Sequence, residues 1–434
     1  MSDSKRFTRR RFLGTSLATG AALTLAAPAF VRGRGLNEKL NIATIGTGGM
    51  GGEDLSSLAG ENIVALCDVD ENTLNRAAGR FPKAKKYFDF RKMLENEEKQ
   101  IDAVQVSTPD HIHAPASVMA MKMGKHCFCQ KPLAHDVTEA RTMAKLAAEK
   151  KLATQMGTQI HAGDNYRRVV EIVQSGAIGP VREVVVWCGK DWGGGRHGKA
   201  EAPPKHLHWD LWLGPAAERP YEPGVYHPQE WRRWWDFGTG TLGDMACHLM
   251  DLPFWALGLK HPLSVEAEGQ PVDPDTTPTG MKVTLEFPAR GGAPSGSPPV
   301  KFTWSDGNRT PKQVAGHDVP FMGVMFIGEK GQMFADYGGY RLYPDEQFKG
   351  FRPPPQTIPA SIGHYAEWIR ACKEGTPTTC NFGYSGALSE AVLLGNVAYR
   401  VGKKFQWDAE NLKAVNCPQA DQYLRREYRQ GWTL

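Results

Sequence analysis

Lys39-Leu40-Asn41-Ile42-Ala43-Thr44-Ile45-Gly46-Thr47-Gly48-Gly49-Met50-Gly51 is the stretch that decides the fold of this chain. An apolar strand, Lys39 to Ile45, runs straight into Gly-x-Gly-x-x-Gly, and a helix through about Leu58 follows. Each glycine has its own expected role. Gly46 permits a tight turn, Gly48 lets backbone approach a pyrophosphate, and Gly51 lets the helix pack on the strand. The amides around Gly49 and Met50 then face the phosphates. A second apolar strand, Asn62 to Leu66, ends in Cys67-Asp68-Val69-Asp70, which places Asp68 to accept from ribose hydroxyls. Two acids here would repel a 2′-phosphate, so NAD is the expected cofactor and NADP is disfavoured.

Beyond this unit, helices near 73–79 and 90–96, a strand at 103–106, a helix at 114–123, a strand at 125–129, a helix at 137–150 and a strand at 152–156 keep alternating. That pattern predicts an α/β Rossmann domain with a doubly wound parallel sheet over residues 37–157. From Val181 the pattern changes to strands at 181–189, 262–268, 280–287, 299–304, 322–336 and 340–343, separated by turn-rich segments, with helices at 362–374 and 385–402. Residues 158–434 therefore read as a C-terminal α+β domain with an open, mostly antiparallel sheet, Gly291 to Pro299 forming a hairpin or loop tip.

Upstream, Thr8-Arg9-Arg10-Arg11-Phe12-Leu13, the apolar run Leu17 to Ala27 and Ala27-Pro28-Ala29 have the order of a twin-arginine signal peptide over 1–29. Cleavage after Ala29 and a periplasmic or secreted protein are expected, with no stable membrane insertion, because the run is too short to span a bilayer. The formal charge of +5 owes most to this leader, and the remaining balance excludes a basic footprint for nucleic acid. The eight cysteines are scattered, which predicts buried thiols rather than a disulfide framework. Cys127-x-Cys129 lacks a second pair at zinc spacing and His206-x-His208 lacks a third ligand, so no metal is expected.

Three segments would converge at the carboxyl edge of the parallel sheet: Ser107-Thr108-Pro109-Asp110-His111-Ile112-His113, Cys129-Gln130-Lys131-Pro132, and Gly238 to His248. Asp244 and His248, four apart, would share one helix face. A histidine oriented by a carboxylate can take a hydroxyl proton while hydride leaves the same carbon, and Lys131 can stabilise the alkoxide and bias the histidine towards its neutral form. Between Val181 and Asp244 lies an aromatic stretch that includes Trp187, Trp192, Trp209, Trp212, Trp231, Trp234 and Trp235, with Arg232, Arg233 and Asp236 close by. Indoles stack on the C–H faces of pyranoses, so Trp231, Arg232 and Trp235, with Asp244 and His248, are candidate sugar contacts.

Together these motifs resemble the Gfo/Idh/MocA family (glucose-fructose oxidoreductase, inositol dehydrogenase, MocA) over nearly all of the chain beyond the leader. The family's Glu-Lys-Pro motif matches Gln130-Lys131-Pro132, its Asp-x-x-x-His pair matches Asp244 and His248, and its Thr-Pro-x-x-x-His segment bordering the nicotinamide matches Thr108, Pro109 and His113. The resemblance also implies substrate roles for His161, Tyr166 and Arg167, and a homodimer or homotetramer. One position departs from the pattern: Gln130 stands where the family carries glutamate, a form that resembles an exported subgroup with the same Trp-rich segment and the tail at 423–432. The expectation is an exported NAD-dependent oxidoreductase of a carbohydrate. Its hydride must return within the cycle, because no soluble nicotinamide pool recharges it outside the cytoplasm. An NAD-dependent glycosidase (oxidation, elimination, hydration, reduction) is one alternative. A sugar-binding protein on an inactive dehydrogenase fold is another, and a hydrolase with a metal on His206, His208 and Asp244 is a third.

Overall fold

The computed structural model describes residues 38–290 and 297–434, so the twin-arginine leader and most of the loop tip at 291–299 lie outside the described residues. Strands β1 (Asn41–Ile45), β2 (Asn62–Cys67), β3 (Lys85–Tyr87), β4 (Ala103–Val106), β5 (His126–Cys129) and β6 (Thr154–Met156) form one sheet in the order β3-β2-β1-β4-β5-β6. All the pairings are parallel. Central β4 is buried along its whole length, because helices cover both faces. The order reverses between β1 and β4, and a crevice opens there at the carboxyl ends of the strands.

The helix expected to start at 114 instead begins at Asp110 and carries Pro115 inside it. Proline has no N–H to offer the carbonyl one turn back. Arg426, from the far end of the chain, donates to the His111 oxygen at 2.6 Å and occupies that vacancy. The short strand β3, two of whose three residues are lysines, has no apolar pattern to announce it.

The second sheet has nine strands: β7 (Val181–Cys188), β8 (Ser264–Gly269), β9 (Met281–Phe287), β10 (Val300–Asp306), β13 (Met322–Gly328), β14 (Gln332–Ala335), β15 (Tyr340–Tyr343), β16 (Phe405–Asp408) and β17 (Lys413–Ala414). A two-stranded ribbon of β11 (Gln313–Val314) and β12 (His317–Asp318) stands apart. The large sheet is mixed through a single parallel pairing, β7 with β10. The stretch expected as one strand over 322–336 is a hairpin, closed where Gly328 donates to the Gly331 carbonyl at 2.9 Å. The helix Phe382–Val401 is mostly buried and packs on the helix Val137–Glu149 of the first domain, on β8, and on the helix Gly240–Leu249. That packing ties the first domain to the second. All eight cysteines are buried, unpaired thiols.

Candidate active site

The Gly46–Gly51 turn is built against backbone. Gly46 has φ +85°, and a Cβ there would lie 2.2 Å from the Ser107 carbonyl oxygen; a Cβ on Gly51 would lie 2.4 Å from the Gly46 oxygen. Only glycine allows β1, the helix Met50–Ser57 and the β4 loop to approach this closely. Gly49 faces open space, as a phosphate cradle requires. Asp68 accepts from the Thr47 amide at 2.8 Å and the Thr47 hydroxyl at 3.1 Å, and from the Asp70 amide at 3.0 Å. It therefore braces the turn as well as facing the crevice. Burial raises its pKa above the usual carboxylate value against the pull of these hydrogen bonds.

The crevice is a cleft of about 660 Å³. Its adenosine end is lined by Asp68, Asp70, Arg76, Phe88 and Trp432, and its turn by Gly46, Gly48, Gly49 and Met50. Its far end is lined by Thr108, Pro109, Lys190, Trp192, Trp231, Arg232 and Asp244. A tight glycine turn open to space at Gly49, helix-start amides and an acid at the end of β2 fit a dinucleotide.

At the far end Lys131 Nζ donates to Asp244 Oδ1 at 2.7 Å and to the Asp244 carbonyl at 2.9 Å. Trp192 Nε1 donates to Asp244 Oδ2 at 2.9 Å, Arg232 Nε approaches Oδ1 at 3.4 Å, and Lys190 Nζ lies 3.8 Å from Oδ2. Burial pushes the Asp244 carboxyl up, yet Lys131, Arg232 and Lys190 outweigh it and hold the group well below the usual carboxylate range. Asp244 is thus a fixed anion among cations, and it does not orient His248 by a hydrogen bond as expected. His248 sits one turn later, half-buried; burial first and then the Lys131 charge push it down to about 3, so its ring is neutral. Tyr166 donates to the His248 carbonyl at 3.1 Å and fixes its backbone.

Several expected contacts stand behind the wall instead of on it. His113 is buried, with Nδ1 2.7 Å from the Pro132 oxygen and Nε2 2.9 Å from the Thr108 oxygen. It ties the Thr108 loop to the Lys131 loop. His161 Nδ1 bonds both Asp251 carboxylate oxygens at 2.9 Å and its ring stacks on Trp255, while Arg167 pairs with Glu367 at 3.0 Å. Trp235 donates to the Asp273 carbonyl at 3.2 Å within the core, so of the two candidate tryptophans Trp231 is the one on the cleft. His161, Asp251 and Cys380 bring potential ligand atoms within 4.8 Å of one another. Tyr384 also donates to Asp251 at 2.7 Å, so that carboxylate is satisfied without an ion. His206 and His208 lie at the adenosine end beside Glu71, apart from Asp244.

The departure at position 130 has a structural counterpart. Gln130 Nε2 donates to both carboxylate oxygens of buried Asp54, at 3.1 and 2.9 Å, beneath the glycine turn. Ser107 and Tyr365 donate to the same carboxylate at 2.5 Å. Gln130 is consequently committed to Asp54 and is not on the cleft wall. A glutamate there would set two carboxylates against each other. Gln130→Glu is expected to destabilise the protein by about 3–5 kcal/mol, the scale of an uncompensated buried charge, and Asp54→Asn in the same chain should restore most of it. Denaturant melts of the three variants check this; a Gln130→Glu protein as stable as the parent would contradict it.

Lys190, Trp432, Arg76 and Asp54 escape sequence reasoning. Lys190 carries a signal in hindsight: it lies two residues past the end of β7, in a loop where functional groups collect.

Comparison with known proteins agrees with this architecture. Residues 40–158 match the oxidoreductase family with NAD-binding Rossmann fold (Gfo/Idh/MocA), and residues 163–292 match that family's C-terminal alpha/beta domain. An inositol 2-dehydrogenase of Rubrobacter xylanophilus is 32% identical over 152 residues, covering 34% of this chain and 43% of its own. A levoglucosan dehydrogenase of Pseudarthrobacter phenanthrenivorans is 24% identical over 238 residues, covering 51% and 52%. The chain spans about two-fifths to a half of the length of the curated relatives it matches. The crystal structure of an aldose-aldose oxidoreductase from Caulobacter crescentus superposes with a TM-score of 0.56 at 17% identity, over 85% of this chain and all of that one, which shows a shared fold. With both halves matched in order, the chain belongs to the Gfo/Idh/MocA oxidoreductase family and carries its NAD-binding Rossmann domain.

Proposed function

We propose that this protein is an exported oxidoreductase of a sugar or glycoside that keeps its NAD through the catalytic cycle. The observation that carries the reading is the cluster at the far end of the cleft: Lys131 pinned to Asp244, with neutral His248 one helical turn on. NAD, when bound, accepts hydride from a sugar carbon and can return it. Lys131 uses two of its three N–H bonds on Asp244 and has a third for a substrate oxygen. Its charge, kept in place by Asp244, favours the alkoxide, while neutral His248 offers a ring-nitrogen lone pair for the hydroxyl proton. One proton and one hydride leave the substrate together, and the reverse step restores both.

Retention is supported by what lies across the cleft. The Trp-rich segment reaches over from the second domain and bonds to the adenosine end: the Glu71 amide to the His206 carbonyl and the His208 amide to the Val69 carbonyl, both at 2.9 Å. His208 pairs with Glu71 at 3.0 Å and His227 with Asp70 at 3.3 Å. Trp432, held under the Arg91 guanidinium at 4.1 Å, adds a wall from the tail. Protein purified without added cofactor is expected to carry about one NAD per chain, and candidate sugars should reduce it in a single turnover. Apo-protein that binds NAD weakly would overturn retention. A loaded protein that no sugar reduces would overturn the sugar reading, and free aglycone with NAD restored would shift it to glycoside cleavage.

A further inference from the structure

The cleft is electrically lopsided. Its adenosine end carries Asp68 and Asp70 beside Arg76, with Asp89 paired to Arg91 at 2.7 Å. Its reactive end carries Lys190 and Arg232, with Lys131 just behind them, against Asp244 and the buried Asp110, which accepts from Thr239 at 2.6 Å and whose carboxyl burial pushes up to about 7. Lys131 already neutralises Asp244 at 2.7 Å, which leaves two cations over.

Neither surplus cation has a close carboxylate of its own. Lys190 reaches Asp244 only at 3.8 Å and its side chain is 45% exposed. Arg232 reaches it at 3.4 Å through Nε, and its guanidinium is held over the Trp231 ring at 4.2 Å and the Trp192 ring at 5.2 Å. Stacking on indoles fixes the guanidinium plane; Nη1 donates to the Gln229 carbonyl at 3.3 Å, which leaves Nη2 to point at a ligand. By contrast, neighbouring Arg233 is spent on Glu230 and the Gly193 carbonyl.

The dinucleotide's pyrophosphate does not account for this pair. Its place is set by the amides that open the helix Met50–Ser57, whereas Lys190 and Arg232 converge on Asp244 and Lys131, where the reacting carbon must sit.

Resting on the sugar oxidoreductase reading above, we propose that the substrate is an acidic sugar whose carboxylate docks on Lys190 and Arg232. Arginine offers a planar fork matched to a carboxylate, and lysine supplies a second point charge beside it. Trp192, whose indole N–H is tied to Asp244, then forms the floor beneath the ring.

The test uses the full-length, cofactor-loaded protein and sugars in matched pairs, each a hexose and its own uronate. Single-turnover reduction of bound NAD and calorimetric binding of each sugar are both measured. The uronate is expected to bind at least tenfold tighter than its hexose, with the gap narrowing as salt rises. Lys190→Met and Arg232→Gln should each reduce that preference severalfold or more, and Lys190→Arg should retain it. Hexose and uronate that bind and react alike, or a preference unchanged in Lys190→Met, would overturn the carboxylate site while leaving sugar oxidation standing. Tighter binding of the matched sugar phosphate would also overturn it. Failure of every sugar to reduce the NAD, whatever its charge, would instead strike the oxidoreductase reading itself.

Discussion

Lys131→Met is expected to slow reduction of the bound nicotinamide by on the order of 10²–10⁴-fold while leaving the NAD content of the purified protein unchanged. The lysine donates to Asp244, which lines the reacting end of the cleft, away from the turn that grips the phosphates. Removing it takes away the donor for the developing alkoxide. His248→Ala should fall in the same range, because it deletes the proton acceptor, and the double variant should cost little more than the worse single one, since both serve one step. The pH profile distinguishes roles. His248 is pushed down to about 3, so it is already deprotonated throughout pH 5–8 and contributes no limb there. An inflection near neutrality that disappears in His248→Ala would show that this ring titrates in the cycle and that its neutral assignment is wrong. His248→Ala with an unaltered single-turnover rate would remove it from the mechanism altogether.

Gly46→Ala is expected to lower NAD affinity by roughly 100-fold or more. A left-handed backbone costs an L-residue about 1–2 kcal/mol, and the new methyl would lie 2.2 Å from the Ser107 oxygen and 2.7 Å from its carbon. Those are main-chain atoms between β4 and Thr108, so the turn must move, and every amide aimed at the pyrophosphate moves with it. Together, a few kcal/mol converts to about two decades. Gly60→Ala is the control, since a methyl there meets nothing within 4 Å. Cofactor content by released nucleotide and thermal melts read both variants; parent-level NAD in Gly46→Ala would mean that the turn tolerates displacement.

The parallel half of the fold was legible because its units carry local evidence: an apolar run followed by a helix, with a glycine turn marking the first. Where a partner comes from far away, that legibility ends. The helix expected from 114 begins at Asp110, and the Arg426 donor that fills the carbonyl of His111 one turn before Pro115 comes from 315 residues away. Asp244 and His248 do fall on one short helix, as their spacing requires. The carboxylate turns elsewhere, however, because Lys131, Lys190 and Arg232 arrive from three separate segments and outbid the imidazole. Gln130 looks like a lost charge until Asp54 is found beneath it. Trp231 and Trp235 are alike in sequence, and only the path of the chain sends one to the cleft and the other to the core.

The tail has a consequence for the order in which this molecule can be made. Residues 426–432 complete structure begun at the opposite end of the chain: Arg426 bonds Glu139 at 2.9 Å and Tyr428 bonds it at 2.6 Å, and Trp432 packs at 5.9 Å from Phe90. A nascent Rossmann domain emerging from the ribosome therefore lacks both the guanidinium that completes its proline-containing helix and one wall of its cleft. Its sheet strands all precede residue 157, whereas these two contributions arrive only when residues 426–432 have been translated. A product of synthesis interrupted before residue 426 would lack the Arg426 donor on that helix and the Trp432 wall of the cleft.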